Sequence, residues 1–262
     1  MQYFSNMLKY QVEGDIYMEN YIIRSKSRRQ LKDRMGLAVG TILLSTILLN
    51  IVNVMLDITD DNILPFSLLF AIGYLFISAP IQAGRCKFLL NMVQGKEEPK
   101  ISDLFSQFNI FLKVFTMSLI IFIFQSLIML ISILIIKGLL SADVMSTKLS
   151  VSSITLIFMI LLAISIFLFF IDIIYSQVNY IMVEEQEIKV IECMKKSRKM
   201  MKGFKFKYFK LQISFIGWWI FSIFTLGIAT LWVNPYSMLA NANFYEEVKN
   251  INVEVQHEKN IL

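Results

Sequence analysis

The sequence predicts an all-α fold: a polytopic transmembrane helical bundle of about six spans, with the N- and C-termini in the cytoplasm and amphipathic helices at the interface. Hydrophobic residues make up 56% of the 262-residue chain and charged residues 17%, against about 45–50% and about 25% in soluble domains. The apolar residues form uninterrupted blocks of about twenty, which matches a bilayer core of about 30 Å. Lys and Arg cluster in alternate connecting segments.

Residues 1–20 are expected to form a loose N-terminal tail. One transmembrane domain is expected over 21–250, and a cytoplasmic tail over 251–262. Met18 shortly precedes a basic run from Arg24 to Arg34. Either Met18 is the true start, or the preceding residues are a cytoplasmic tail. The first span is too long for a signal peptide and lacks a small-residue cleavage site, so we expect it to be retained.

Charge-free intervals mark the spans. After Lys210 no charge appears until Glu246, which leaves 35 residues, or about 52 Å of helix, too much for one crossing. We interpret this interval as two spans that fold back at Thr225-Leu226-Gly227, because glycine supplies the backbone freedom of a tight turn. The expected spans lie near 35–56, 63–84, 109–136, 149–172, 208–224 and 228–245.

The distribution of Lys and Arg predicts the orientation. With the N-terminus inside, the cytoplasmic segments hold 20 basic residues and the outer segments two, and basic residues near span ends resist translocation. Residues 172–183 are mostly apolar, but a further crossing there would place nine cations outside. We therefore expect span four to continue into an interfacial helix. The cytoplasmic segments are 19–34, 85–113 and 184–210, and the outer segments are 57–62, 137–148 and 225–227.

Two amphipathic segments are expected on the inner surface. In the first, Ile101, Leu104, Phe105 and Phe108 recur at helical spacing, and Ser102 and Asp103 lie near the start, where either can cap the helix. The second has no acidic residue, and its cations alternate with Met, Phe and Tyr. Its eight cations, called the basic patch below, are Lys195, Lys196, Arg198, Lys199, Lys202, Lys205, Lys207 and Lys210.

Such a patch attracts anionic lipid headgroups by about 1 kcal/mol per cation near the surface, and salt weakens the attraction. The simpler interpretation is that the patch only fixes the topology. The functional interpretation is a site for lipid or for a membrane protein partner. Nucleic acid is not expected as a partner, because the aromatic and basic residues belong to a span boundary and no binding module surrounds them.

Small residues predict close helix contacts at two places. Gly36-x-x-x-Gly40 matches the contact motif of packed spans. Ala79, Ala83 and Gly84 likewise indicate close helix approach, near the inner end of span two.

Several motifs carry a family resemblance. They are Ser197 to Gly203, Leu211 to Trp218, Thr225 to Ile228, Leu231-Trp232, Pro235-Tyr236 and Asn243 to Glu246, with Ser102 to Phe105, Phe108, Tyr175-Ser176 and Tyr180-Ile181 upstream. Together they resemble the bacterial membrane proteins of domain-of-unknown-function family 975, over about residues 21–250. The Pro-Gly break that this family often has before the Tyr-Ser pair is absent here. The family is also distantly similar to the membrane domain of some glycerophosphodiester phosphodiesterases, which implies lipid surroundings and assigns no activity.

The sequence gives little support to catalytic or metal chemistry. His257 is the single histidine and lies in a polar tail, which excludes a His-based metal cluster or triad. Cys86 and Cys193 are too far apart in sequence for a zinc motif. Both cysteines fall on the cytoplasmic side, so no disulfide is expected. We expect no cofactor and no metal.

Asp172 is the strongest single candidate for function, because an acid at the centre of a span costs about 2.5–3.5 kcal/mol and such residues often handle protons or ions. It lies near the inner interface, where a hydrated carboxylate or a partner for a neighbouring Lys is the simpler interpretation. Other polar residues are placed to form interhelical hydrogen bonds, namely Gln125, Gln177, Asn179 and Gln212. In span six Asn234, Asn241 and Asn243 form with Pro235 a polar stripe that either lines a cavity or only joins helices. The candidate intramembrane polar site comprises Asp172, Gln177, Asn179, Gln212, Asn234 and Pro235.

Three functional hypotheses follow, all for a multi-pass protein of the cell membrane. We favour a non-enzymatic module that engages anionic lipid at the inner leaflet, or a partner protein, through the basic patch. The second hypothesis is a transporter or flippase-like component with a polar cavity near Asp172 and Pro235, although the sequence shows no convincing inverted repeat. The third is a membrane-embedded enzyme, which the missing constellation of His, Cys and acid disfavours.

Overall fold

The computed structural model describes residues 20–57, 64–144 and 151–261. The expected tail up to residue 19 and most of the outer turn at 57–62 lie outside these residues. Every regular element among the described residues is helical, which confirms the predicted all-α class. The α-helices are α1 (Asn20–Asp33), α2 (Met35–Asp57), α3 (Leu64–Gln94), α4 (Phe111–Val144), α5 (Val151–Tyr175), α6 (Val178–Glu184), α7 (Val190–Met200), α8 (Lys205–Ile213), α9 (Ile216–Phe224) and α10 (Thr230–Ile261).

The buried core lies where α3 packs against α6 and α10. Phe88 of α3, Ile181 of α6 and Phe244 of α10 are fully buried there. Helix α1 packs on α10 and is amphipathic, with Ile23, Ser27 and Leu31 buried on one face. The core is therefore concentrated around the first half of α10, which contacts both α1 and α3, and α3 in turn packs on α6.

Helices α4 and α5 are apolar but largely exposed. By length and composition, two helical stretches among the described residues could cross a membrane, Ile101–Gly138 and Thr155–Glu184. Only 6% of the most apolar window in each is buried inside the protein, so these are not core helices of a soluble domain. Leu134 and Phe158, for example, are 61% and 63% exposed.

The turn expected at Thr225-Leu226-Gly227 is present. Helix α9 ends at Phe224, α10 begins at Thr230, and Gly227 has φ +87°. The Gly227 amide donates to the Ser222 carbonyl at 2.8 Å, which satisfies a carbonyl of the last helical turn as αL glycine caps do. The last apolar interval therefore forms a helical hairpin.

The segment expected to be span five consists of two helices, α8 and α9, separated by Ser214 and Phe215. The Ser214 hydroxyl donates to the Leu211 carbonyl at 2.6 Å, and the Phe215 amide bonds three residues back, to Gln212 O at 3.0 Å. A serine that bonds its own helix backbone favours such a break.

Two expected interfacial segments differ from the prediction. Residues 178–184 form α6, which packs against α3 and does not lie on a surface. Apolar side chains on several sides of this helix are buried, so it has no polar face to turn towards solvent. The amphipathic helix expected at 101–108 is instead two short 3₁₀ segments, Ile101–Leu104 and Ser106–Ile110. Of its four apolar residues only Leu104 is buried.

One helix boundary and one helix contact also differ from the prediction. Helix α10 continues through Pro235 and past residue 245, across most of the expected tail at 251–262. At Gly36 and Gly40 no atom lies within 4 Å of the position that a Cβ would take. The expected helix contact at this motif is therefore not found among the described residues.

Candidate functional site

The basic patch is formed by α7, α8 and the turn between them. Cys193, Ser197 and Met200 are buried on one side of α7, which leaves the cations on the other side. Seven of the eight cations are exposed. Gly203, with φ +91°, turns the chain between the two helices.

Two cations of the patch have carboxylate partners. Lys196 pairs with Glu185 on the surface. Lys207 is the patch cation that is not exposed, and it pairs with Glu247 of α10 at 2.6 Å, with the side chains only 12% and 6% exposed. The other six cations form no ion pair within the described part of the chain and leave their charge at the surface.

Helix α1 adds cations next to the patch. Its Asn20 Nδ2 donates to the Lys207 carbonyl at 3.1 Å, which fixes α1 beside α8. Arg24 is held inward, since its Nε donates to Tyr236 Oη at 3.3 Å. Lys26 and Arg29 are exposed, so the positive surface extends beyond the residues singled out in the sequence.

The structure connects part of the predicted polar site. Gln212 Nε2 donates to Asn241 Oδ1 at 2.8 Å, and Gln177 Nε2 donates to Ser176 Oγ at 2.8 Å. The side chain of Tyr208 interacts with both Ser176 and Gln212. These contacts join α10, α8 and the turn after α5 into one polar network.

The other predicted site residues lie at the edge of this network or apart from it. Asp172 is exposed on α5 and borders the network, because its electrostatic neighbour is Tyr208. Pro235 is buried within α10, and the carbonyl of Asn234 accepts a hydrogen bond from Ser237 Oγ at 3.0 Å. Asn179 lies on a different side and lines a cavity between α3 and α4.

A second network links α3, α6 and α10 through Glu184. The Glu184 carboxylate accepts hydrogen bonds from Lys249 Nζ at 2.6 Å, Tyr245 Oη at 2.7 Å and Gln94 Nε2 at 2.5 Å. Burial opposes ionisation of Glu184, but these bonds outweigh it and hold the pKa of the carboxyl below its usual value. Burial also opposes the charge of Lys249, and the bond to Glu184 outweighs it and raises the pKa of that amine.

The Glu184 network borders a cavity of about 390 Å³. Lys87, Lys96 and Lys249 line it together with Glu184 and Glu185. Because cations and carboxylates are nearly balanced and Lys249 is already paired, the cavity has no strong preference for a charged ligand.

The second cavity, about 360 Å³, lies between α3 and α4 and contains no charged lining residue. Of its polar residues, sequence reasoning named Asn179 and Gln125 and missed the other four. The signal was available, because Tyr74, Ser78 and Gln82 recur every four residues on α3. The polar residues that line this cavity are Tyr74, Ser78, Gln82, Ser118, Gln125 and Asn179.

Among the described residues, no group of three or more His, Cys, Asp and Glu side chains is placed to hold a metal ion. Cys86 and Cys193 are free thiols, the first partly buried and the second fully buried.

Comparison with known proteins gives one match. No curated protein and no solved structure matches the chain. The family described as "Protein of unknown function (DUF975)" matches residues 18–252, which is nearly the whole chain. The protein belongs to this family.

Proposed function

We propose that the protein is a multi-pass protein of the cell membrane with six spans and both ends in the cytoplasm, and that its basic patch binds anionic lipid headgroups at the inner leaflet. In this proposal the protein is a non-enzymatic membrane module. Its transmembrane helices present the patch to the lipid surface.

The exposed apolar surface of α4 and α5 supports membrane embedding, because soluble proteins rarely expose apolar patches of such extent. Helices α8 and α9 together cover residues 205–224, a length of about 30 Å that matches the hydrocarbon core. The helical hairpin at 225–229 returns the chain to the side from which it came.

The tryptophans support a membrane interface near the turn, and the cations support the orientation. All three tryptophans of the chain, Trp218, Trp219 and Trp232, flank the turn at 225–229 and are exposed. Tryptophan is enriched at membrane interfaces, whereas Lys and Arg are enriched on the cytoplasmic side. The hairpin of α8 to α10 has tryptophans towards its turn and cations at the opposite end of α8.

The single observation that carries the lipid-binding proposal is the set of six surface cations without a carboxylate partner, next to exposed apolar side chains. Phe206 and Ile191 are 64% and 60% exposed, and Lys210 Nζ lies 4.7 Å from the centroid of the Phe206 ring. Cations beside protruding aromatic and aliphatic groups are typical of surfaces that lie in the headgroup layer.

The test is lipid selectivity of the purified full chain. Native mass spectrometry in neutral detergent compares bound phosphatidylglycerol with bound phosphatidylethanolamine at low salt. In a variant with Lys195, Lys199, Lys202 and Lys205 changed to Glu, the preference for phosphatidylglycerol should fall at least about tenfold. Each cation near the surface contributes about 1 kcal/mol to the attraction of an anionic lipid. The matched control changes the same four residues to Arg and should keep the preference.

An unchanged preference in the Glu variant would contradict lipid binding by the patch. If the Glu variant also lost a co-purifying membrane protein while it kept its lipids, the patch would instead serve a protein partner.

A transport role is the second candidate, and the uncharged polar cavity between α3 and α4 favours it. Polar side chains within a span are energetically unfavourable, so they usually bind a polar partner or line a pathway for a substrate or an ion. This cavity differs in place from the one expected near Asp172 and Pro235. A transport assay on reconstituted protein should therefore respond to Gln82→Leu and not to Asp172→Asn.

A further inference from the structure

Helix α3 carries a polar stripe on one face. Tyr74, Ser78, Gln82 and Arg85 follow one another at intervals of four, four and three residues, which stacks their side chains along the helix. The first three line the 360 Å³ cavity. Arg85 continues the stripe beyond the cavity and interacts with the side chain of Tyr74.

Ser78 behaves unlike other buried serines of this chain. The Ser27 hydroxyl donates to the Ile23 carbonyl at 2.8 Å, and the Ser222 hydroxyl donates to the Trp218 carbonyl at 3.0 Å. Ser78 Oγ is buried and has no hydrogen-bond partner among the described residues. A buried hydroxyl without a partner is unfavourable, and Ser78 borders the cavity, so a polar occupant would satisfy it.

Arg85 is a partly buried cation without a counter-ion. Its electrostatic neighbours are Tyr74, Tyr180 and Cys86, and no carboxylate within the described part of the chain pairs with it. By contrast, Lys87 pairs with Glu97 at 2.9 Å. A partly buried charge is unfavourable until an anion completes the site. A guanidinium suits phosphate in particular, because two of its N–H groups can bind two phosphate oxygens together.

We propose that the cavity between α3 and α4 binds a phosphate ester, with Arg85 holding the phosphate and Ser78, Gln82 and Asn179 hydrogen-bonded to the hydroxyl groups of the ester. Arg85 follows Gln82 by three residues on the same helix face, so one arginine next to an uncharged lining suits one phosphate group. The size of the cavity, 360 Å³, lies near the lower end of ligand pockets, about 300–1,000 Å³, and suits a headgroup-sized ligand.

Two sources could supply this ligand, a phospholipid headgroup or a free glycerol phosphate. The apolar lining residues Met117, Ile121 and Phe122 would contact the start of an acyl chain in the first case. In the proposed topology Arg85 lies at the inner end of span two, where lipids of the inner leaflet place their phosphates. The inference rests on the proposed membrane embedding and is independent of the basic patch.

The experiment titrates the full chain, in neutral detergent, with phosphatidylglycerol in one arm and with soluble glycerol 3-phosphate in the other. Salt of about 1 M shortens the Debye length to about 3 Å, which suppresses binding to the exposed basic patch. Arg85→Gln should weaken binding by at least about tenfold and Ser78→Ala by about threefold. Arg34→Gln removes an exposed arginine and serves as the matched control, with unchanged affinity.

Binding that depends on Arg85 in either arm supports the site, and the arm in which it occurs identifies the source of the ester. Equal affinities of the unaltered protein and Arg85→Gln in both arms would overturn the inference. The variant with four patch lysines changed to Glu separates the two proposals, because it should lose the additional binding that appears only at low salt and keep the binding that persists at high salt.

Thermal unfolding without ligand provides a second readout. Arg85→Gln removes an uncompensated charge, so its melting temperature should equal or exceed that of the unaltered protein. Added ligand should raise the melting temperature of the unaltered protein and leave that of Arg85→Gln unchanged. A lower melting temperature of ligand-free Arg85→Gln would assign Arg85 to the stability of the fold and overturn the inference.

Discussion

Gly84 of α3 lies directly against the backbone of Leu104 in the first 3₁₀ segment. A Cβ at position 84 would stand 2.0 Å from the Leu104 carbonyl oxygen. Leu104 itself is fully buried, and Asn91 Nδ2 donates to Asp103 Oδ2 at 3.0 Å. The segment after α3 is therefore fixed against the helix from which it emerges, and the close approach predicted at Gly84 is present.

We expect Gly84→Ala to destabilise the protein by about 1–3 kcal/mol, because the added methyl group meets backbone atoms that must shift. The measurement is the melting temperature in detergent. The control is Gly73→Ala in the same helix, where nothing lies within 4 Å of the added atom. That change should stabilise by about 0.5–1 kcal/mol. Equal effects of the two substitutions would contradict the close contact.

The buried ion pair of Lys207 and Glu247 joins α8 to α10. Lys207→Met should destabilise by about 3–5 kcal/mol, because it leaves a buried carboxylate without its cation. The double variant Lys207→Met with Glu247→Leu should recover most of this loss. Lys205→Met, at an exposed neighbouring position, should change the free energy of unfolding by less than about 0.5 kcal/mol. Unfolding in mixed micelles measures these three variants, the Glu247→Leu single variant and the unaltered protein, and additive effects of the two single substitutions at 207 and 247 would refute the coupling.

The Glu184 network predicts sensitivity to acid. Because the folded state lowers the pKa of Glu184 from its usual value of 4.5, the contribution of this carboxylate is present above about that pH and is lost as the pH falls further. Glu184→Gln should melt at a lower temperature than the unaltered protein at pH 7, and the two curves should converge in acid. A difference that stays constant down to the acid limit would contradict this assignment.

The same network also predicts a loss of stability at alkaline pH, which depends on Lys249. The folded state raises the pKa of Lys249 above its usual value of 10.5. Its contribution is therefore present below that pH and is lost as the pH rises through the folded-state pKa. Lys249→Met should remove the alkaline loss of stability in the same melting experiment, and persistence of that loss in the variant would contradict the assignment.

Asp172 should contribute little to stability. Its side chain is exposed and forms no ion pair within the described part of the chain. Asp172→Asn should shift the free energy of unfolding by less than about 0.5 kcal/mol. A loss of several kcal/mol would mean that Asp172 has a structural partner.

The helical class, the turn at 225–227 and the exposed cations of α7 and α8 were predictable from sequence. Each depends on a local signal: long neutral blocks, a glycine inside an apolar interval, and cations opposite a buried stripe. The approach at Gly84 followed from the small side chain alone. The structure bears out these features because no distant partner is needed to specify them.

The burial of α6 and the cavity between α3 and α4 were not predictable in the same way. An apolar helix face that contacts lipid has the same composition as one that contacts another helix, so Ile181 gave no sign of its position in the core. The ion pair of Lys207 and Glu247 joins residues that are 40 positions apart, and nothing local distinguishes Lys207 from the exposed Lys205. Ser78 and Gln82 lie on a polar stripe of α3. This stripe lines a cavity only because α4 packs opposite it, and the sequence does not specify that packing.

The most direct test of the membrane-embedded arrangement is the accessibility of single cysteines in intact cells. In a background without Cys86 and Cys193, Leu226→Cys, at the 94% exposed tip of the hairpin, should react with a membrane-impermeant maleimide added from outside. Lys202→Cys in the basic patch should react only after permeabilisation. Labelling of both positions from the same side of the membrane would contradict the proposed topology.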